Sequence, residues 1–249
     1  MESNTKDTVG WTRRAWMTAT GAAAVGMWGT GRAVEPPPWP AAMTLEYEVS
    51  GRARGLPYRA ASVLHWEPNG AAYTASLDMR APLVGTRTQR SEGRLSRDGL
   101  RPERYIDQAR RERRYELAWA EQRFRYLRDG QLMHDGPLVA GTQDRLSLFF
   151  QLGLWARSQA QEAMGSATAV VPVLGQGGTE PWRFRLAAQE AVDTPAGSLP
   201  ALRLERERAD PGDTQITLWL APAVHHLPAR LVLEDDEGHR VDQRLRRLP

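Results

Sequence analysis

Met43-Thr44-Leu45-Glu46-Tyr47-Glu48-Val49-Ser50 alternates apolar and polar residues without a break. A period of two puts Met43, Leu45, Tyr47 and Val49 on one face of an extended chain and the polar residues on the other, the pattern of a half-buried β-strand. The same reading extends outward on the C-terminal side. Gly51 to Gly55 is turn-rich, and a second strand fits 57–66. Pro68-Asn69-Gly70 is a hairpin signal, because Asn-Gly accepts the backbone angles of tight turns. Strands follow at 71–79, 86–96, 101–107, 112–119 and 123–128, and Asp129-Gly130 marks another hairpin turn.

The period changes at Thr142. Leu146, Phe149, Phe150, Gly153 and Leu154 recur at helical spacing, with Thr142 or Asp144 available as N-cap and Gly165 as a stop. This predicts one helix over about 142–164. Leu148, Leu152 and Trp155 form a second apolar row. A helix apolar on two sides is buried on both, or covers something removable. Strand patterns return at 168–174, 181–191, 199–208, 213–221, 226–234 and 239–248, separated by turns at Thr194-Pro195-Ala196-Gly197, 210–213 and 235–238. The expected fold is mainly β: a single curved antiparallel sheet, half-barrel or barrel, of about a dozen strands with one helix packed against it. The loop at 175–181 is the weakest link in this pattern. No internal repeat and no domain boundary interrupt residues 43–249.

Upstream, the chain changes character. Lys6, Arg13 and Arg14 precede a small, mildly apolar run at 19–31, and Gly31-Arg32-Ala33 offers a cleavage site. This is the layout of a signal peptide over residues 1–33, and its run is too short and Gly-rich to span a bilayer. Thr12-Arg13-Arg14-Ala15-Trp16-Met17 resembles the twin-arginine export motif, with Trp in place of the usual Phe and Thr18 where Lys is common. The weak hydrophobicity and Arg32 disfavour the general secretory route; an uncleaved anchor or a chance Arg-Arg pair is the remaining alternative. Val34-Glu35-Pro36-Pro37-Pro38-Trp39-Pro40-Ala41-Ala42 reads as a stiff Pro-rich linker. The expectation is an exported protein of a Gram-negative-type envelope, located in the periplasm. Its first partner is the export machinery, and its mature form has no stable transmembrane span.

Composition narrows the function classes. The formal net charge is +3, but residues 1–33 hold Lys6, Arg13, Arg14 and Arg32 against Glu2 and Asp7, so the remainder carries 29 basic and 28 acidic residues. A nearly neutral domain offers phosphates no general attraction, and a nucleic-acid partner is not expected. The chain has no cysteine, which excludes disulfides, thiolate metal sites and cysteine nucleophiles. Apart from Lys6, the basic residues are arginines.

No motif carries chemistry. His225-His226 is the one histidine pair, and neighbours on a strand point to opposite faces, so they do not readily share a metal. His65, His134 and His239 lack ligand spacing. Neither Ser147 nor Ser158 sits in a nucleophile motif. Gly175-Gln176-Gly177-Gly178 reads as a flexible loop, because no Lys-Ser/Thr follows to make a phosphate cradle. No catalytic residue, metal ligand or cofactor is assigned. Arg101, Arg104, Arg110, Arg111, Arg113, Arg114, Arg123, Arg125 and Arg128 alternate with Glu103, Asp107, Glu112, Glu116, Glu121 and Asp129. They read either as a solvated face with cross-strand ion pairs or as a patch for an anionic envelope component.

Several landmarks occur in a familiar order: Gly99-Leu100-Arg101-Pro102 before Tyr105, Gln143-Asp144-Arg145-Leu146-Ser147 at the helix start, and Thr194-Pro195-Ala196-Gly197. Leu218-Trp219-Leu220-Ala221-Pro222 and Leu227-Pro228-Ala229-Arg230 complete the set. Over residues 43–248 the chain resembles an uncharacterised bacterial family, the domain of unknown function 3108. That family is similar in outline to periplasmic half-barrels that shelter lipid or lipoprotein acyl chains, and it brings no catalytic residues to transfer. Its typical members carry a general signal peptide, from which the Arg13-Arg14 pair departs.

The first expectation is therefore a periplasmic binding or carrier module for an apolar or amphipathic envelope ligand, such as a lipid or lipoprotein chain. Leu146, Phe149, Phe150, Leu152 and Trp155 would line or cover its site; filling a core is the other reading of Phe149, Phe150 and Trp155. A structural or interaction protein acting through its Arg-rich strands is the second, and an enzyme with a site assembled near His225 or His226 the third.

Overall fold

The computed structural model describes residues 39–53, 55–81, 85–96, 98–159 and 167–249. The export signal with Arg13 and Arg14 lies outside them, as does the first half of the Pro-rich segment. Eight strands come first: β1 (Met43–Ala53), β2 (Leu56–Asn69), β3 (Ala72–Ala81), β4 (Gly85–Ser96), β5 (Gly99–Gln108), β6 (Glu112–Ala118), β7 (Arg123–Arg128) and β8 (Gln131–Pro137). The single α-helix among the described residues, α1 (Ser147–Gln159), follows. Six strands complete the chain: β9 (Thr168–Gly175), β10 (Gly178–Thr194), β11 (Gly197–Glu207), β12 (Gln215–Ala221), β13 (Leu227–Glu234) and β14 (Arg240–Leu245).

All fourteen strands form one sheet, in the order β8-β7-β6-β5-β4-β3-β2-β1-β14-β13-β12-β11-β10-β9. The chain starts in the middle of the sheet and meanders out to one edge. It crosses through α1 to the opposite edge and meanders back until β14 pairs antiparallel with β1, Tyr47 opposite Leu245. Side chains from β2 and β4 border the same cavity as Trp182 of β10, which lies several strands away. Such a sheet must curl. It does not close, since β8 and β9 remain edges. The segment before α1 partly bridges the opening: Gln143 pairs in parallel with Val173 of β9, donating to the Pro172 carbonyl at 2.8 Å and accepting from the Leu174 amide at 2.9 Å.

Fourteen strands agree with the dozen or so expected, and the one that alternation misses, β8, has a local cause. β8 carries no period of two because, as an edge strand, it exposes all but Gly136. The doubtful stretch at 175–181 is a tight hairpin in which Gly175 pairs with Gly178. Asp129 and Gly130 both take positive φ, 48° and 80°, the backbone of a hairpin turn that follows the twist of its strands.

The helix begins later than Thr142. Asp144 is its N-cap: its carboxylate accepts from the Leu146 and Ser147 amides, both at 2.8 Å, and its carbonyl accepts the first helical bond from Leu148. The Ser147 hydroxyl reciprocates by accepting the Asp144 amide at 3.0 Å, a capping box with a hydroxyl in place of the usual carboxylate or amide. The expected end near 164 falls on residues outside those described.

Candidate ligand cavity

The interior of the curl is filled at one end and hollow at the other. At the filled end Trp66 is fully buried and stacks on Phe150 of α1 at 4.4 Å and on Tyr73 at 5.4 Å. Its indole N–H donates to the Pro40 carbonyl, and Trp39 packs 5.9 Å away. Trp39 and Pro40 of the Pro-rich segment thus lie on the core. Leu45, Tyr47, Leu227, Ala229 and Leu245 complete this packing from β1, β13 and β14.

Followed further along the same strands, the inward positions change. Leu77 and Met79 of β3, Leu231 and Leu233 of β13, and Val241 of β14 border a cavity of about 230 Å³. Leu148 and Phe149 of α1 form its wall on the helix side, and Trp182 and Ile216 continue it from β10 and β12. Tyr58 lies at its edge, opposite Gly51 in the β1–β2 register; a side chain on Gly51 would collide with its ring. Four more side chains bring polar atoms to the lining: Arg87, Gln89, Arg145 and Gln243. Gln243 already accepts from the buried Ser62 hydroxyl at 3.0 Å. Arg87 is clamped on Asp107 by two bonds of 2.7 and 2.8 Å, a bidentate geometry that satisfies both partners.

The helix is a fixed wall, held at three points. At its start, the Asp144 carboxylate accepts from the Ser91 hydroxyl at 2.6 Å, and Ser91 in turn contacts the Tyr73 hydroxyl at 3.0 Å. Asp144 is fully buried; burial raises its carboxyl above the ordinary range, against the pull of the hydrogen bonds from Ser91, Ser147 and Leu146. In its middle, Gln151 accepts from the Leu100 amide and donates to the Asp98 carbonyl, each at 3.1 Å. On the following turn, Gly153 packs so closely that a Cβ there would lie 2.7 Å from the His226 carbonyl.

These contacts place each residue singled out in the sequence. Phe149 borders the cavity. Leu146 and Phe150 face the filled end, while Leu152 packs against the strands β9 to β13. Trp155, partly buried, lies against that same cluster. The cavity draws instead on Leu148, Arg145 and Trp182, which local patterns do not distinguish from core or surface. His225 and His226 sit in a turn after a 3₁₀ segment, Pro222–Val224, and not on a strand; both have positive φ, 58° and 60°. Burial, Arg157 and His225 lower the His226 pKa, and the turn serves to seat the helix. Among the described residues no three His, Asp or Glu side chains converge as a metal site. Nor is any helix among them long and apolar enough to cross a membrane.

Much of the arginine-rich face is paired. Arg104 meets Glu92 and Arg114 meets Glu112, both at 2.8 Å, and Arg123 meets Asp135 at 2.7 Å. Arg101 lies over the Trp119 ring at 5.1 Å. Exposed pairs of this kind contribute at most about 1 kcal/mol each, but they offset part of the local charge.

No curated protein matches the chain. Among solved structures, its fold is similar to the crystal structure of a beta-barrel-like protein of domain of unknown function DUF1849 from Brucella abortus. The TM-score is 0.56 at 11% sequence identity, over 83% of this chain and 96% of that one. Identity that low speaks of the fold alone. The family model described as a protein of unknown function, DUF3108, matches residues 46–245, and the chain belongs to that family.

Proposed function

We propose that this protein is an exported, periplasmic binding or carrier module for an apolar or amphipathic envelope ligand, lodged in the cavity beside α1. The observation that carries the reading is the contrast inside one curl of sheet: a filled aromatic core at one end, and at the other about 230 Å³ walled mainly by Leu, Ile, Val, Met, Phe and Trp. An apolar cavity of roughly 150 Å³ already takes a benzene-sized guest, and drug-sized ligands use roughly 300 Å³ or more. The space therefore suits one acyl chain or ring, and a second chain would remain outside. The twin-arginine-like Arg13-Arg14 signal agrees with an envelope location.

Native mass spectrometry of the protein purified from the periplasm of its own host tests the proposal. A mass excess that vanishes on denaturation, and is extractable as a single-chain lipid, is the expected result. A bare mass, unchanged after incubation with acyl-chain amphiphiles, overturns it.

A second reading, a protein-interaction component of the envelope, is favoured by a different observation. Leu132 and Met133 on edge strand β8, Val170 on edge strand β9 and Val139 just beyond β8 are all about half exposed or more. Unpaired edges with apolar side chains invite another strand. A stable protein partner recovered by crosslinking at β8, together with a ligand-free cavity, would shift the assignment to it.

A further inference from the structure

Burial of an alkyl tail contributes roughly 0.8 kcal/mol per methylene, so a short chain in this cavity binds weakly on its own. Discrimination then falls to the polar groups around it. Four of the five polar side chains are already engaged or neutral: Arg87 is held by Asp107, Gln243 by Ser62, and Gln89 and the Tyr58 phenol carry no charge.

Arg145 differs. It follows the N-cap Asp144, its side chain is exposed, and it borders the cavity. Its guanidinium stands 5.5 Å from the Trp182 ring. Among the described residues it forms no ion pair and no side-chain hydrogen bond. Arg206 lies over the same indole at 4.0 Å but is neutralised by Asp213 at 3.0 Å. Glu180 accepts the indole N–H of Trp182 at 3.4 Å, but it makes no ion pair with Arg145, so this guanidinium stands free of a carboxylate next to an apolar space that takes one chain.

We infer that the cavity selects single-chain amphiphiles with an anionic head group, carboxylate or phosphate, whose head is read by Arg145 while the tail lies among Leu77, Met79, Phe149, Leu231 and Leu233. The inference rests on the carrier reading above and adds the ligand's charge to it. A guanidinium presents a planar fork to either oxyanion, and charge-assisted hydrogen bonds are about twice as strong as neutral ones. An attraction at an exposed site is screened by salt, so the preference weakens as ionic strength rises.

Titration of the purified protein with decanoate, decyl phosphate and decanol, each below its aggregation threshold and read by tryptophan fluorescence or calorimetry, tests this. The expected result is an affinity for the better of the two anions about tenfold above that for decanol at low salt. In Arg145→Gln that preference falls to about one, and Arg145→Lys restores part of it. Whichever anion binds more tightly identifies the head group. If decanol binds as well as both anions, or if Arg145→Gln keeps the preference, the inference is overturned while the carrier reading stands. If none of the three binds, and none competes with a resident molecule, the carrier reading falls as well.

Discussion

Strand β3 passes through both ends of the interior, and its inward side chains record the difference. Tyr73 and Ala75 are sealed against Trp66 and its neighbours; Leu77 and Met79, further along the same face, border empty space. β13 repeats this from Ala229 to Leu233, and β14 from Leu245 to Val241. Backbone, pairing and polarity pattern are alike at the two ends. What differs is the bulk that meets across the curl. Four aromatic rings, those of Trp39, Trp66, Tyr73 and Phe150, converge at the filled end. At the other end aliphatic side chains face each other across a gap that Phe149 and Trp182 border without filling. Packed interiors normally hold few voids larger than a water molecule, so a persistent gap beside a dense core is a property of the sequence there.

The largest expected effect breaks the filled end. Trp66→Ala removes a fully buried indole with two stacked neighbours and should destabilise the fold by about 3–5 kcal/mol in urea titration. Met79→Ala, on the neighbouring strand but at the hollow end, should cost only about 1 kcal/mol, because part of its surface already lacks partner atoms. Equal losses at the two sites would mean that the gap is packed in solution, and the contrast between the ends would disappear.

The second effect concerns the residue that fixes the wall between the ends. Asp144→Ala loses the cap and leaves the Ser91–Tyr73 hydroxyl pair without its acceptor, at about 2–4 kcal/mol together. Asp144→Asn keeps the cap and should recover more than half of that. The two proteins also separate in pH. Burial raises the Asp144 carboxyl in the folded state, so the fold holds this proton at pH values where the unfolded chain has released it. The contribution is fully present below the unfolded carboxyl pKa of about 3.9 and is lost as pH rises through the higher folded value. Stability of the wild type relative to Asp144→Asn should therefore fall with rising pH across that window. A difference that rises with pH would mean that the hydrogen bonds outweigh burial and hold the carboxylate charged.

Local pattern made most of the fold legible, and the cavity much less so. Alternation in 43–50 and its continuations marks strands because one face of each is buried; β8 escapes it because neither face is. The helix shows as two apolar rows, and both are used: Leu146 and Phe150 toward the aromatic end, Leu148 and Leu152 toward β9–β13. Asp144 was readable as a cap because capping chemistry is local. The cavity is defined by missing atoms between Met79, Trp182 and Val241, residues far apart in the chain and ordinary in their own strands. Arg145 is likewise one arginine among many until its neighbours are known. Nothing local separates it from Arg104, whose carboxylate partner Glu92 sits on an adjacent strand.

The smallest stability effect is also the most specific. Val241→Trp places an indole where the structure has space, at a half-buried inward position of β14. In a packed core, overfilling of this size costs about 1–3 kcal/mol or more. At the hollow end the added ring should be accommodated, and the urea midpoint should move by less than the equivalent of about 1 kcal/mol while amphiphile binding is lost. The matched insertion at the filled end, Ala229→Trp, has no space to enter and should prevent folding. If Val241→Trp unfolds the protein as readily as Ala229→Trp, the two ends are packed alike. If it is tolerated and binding persists, the ligand lies elsewhere on the molecule, and the exposed edges at β8 and β9 become the next surface to probe.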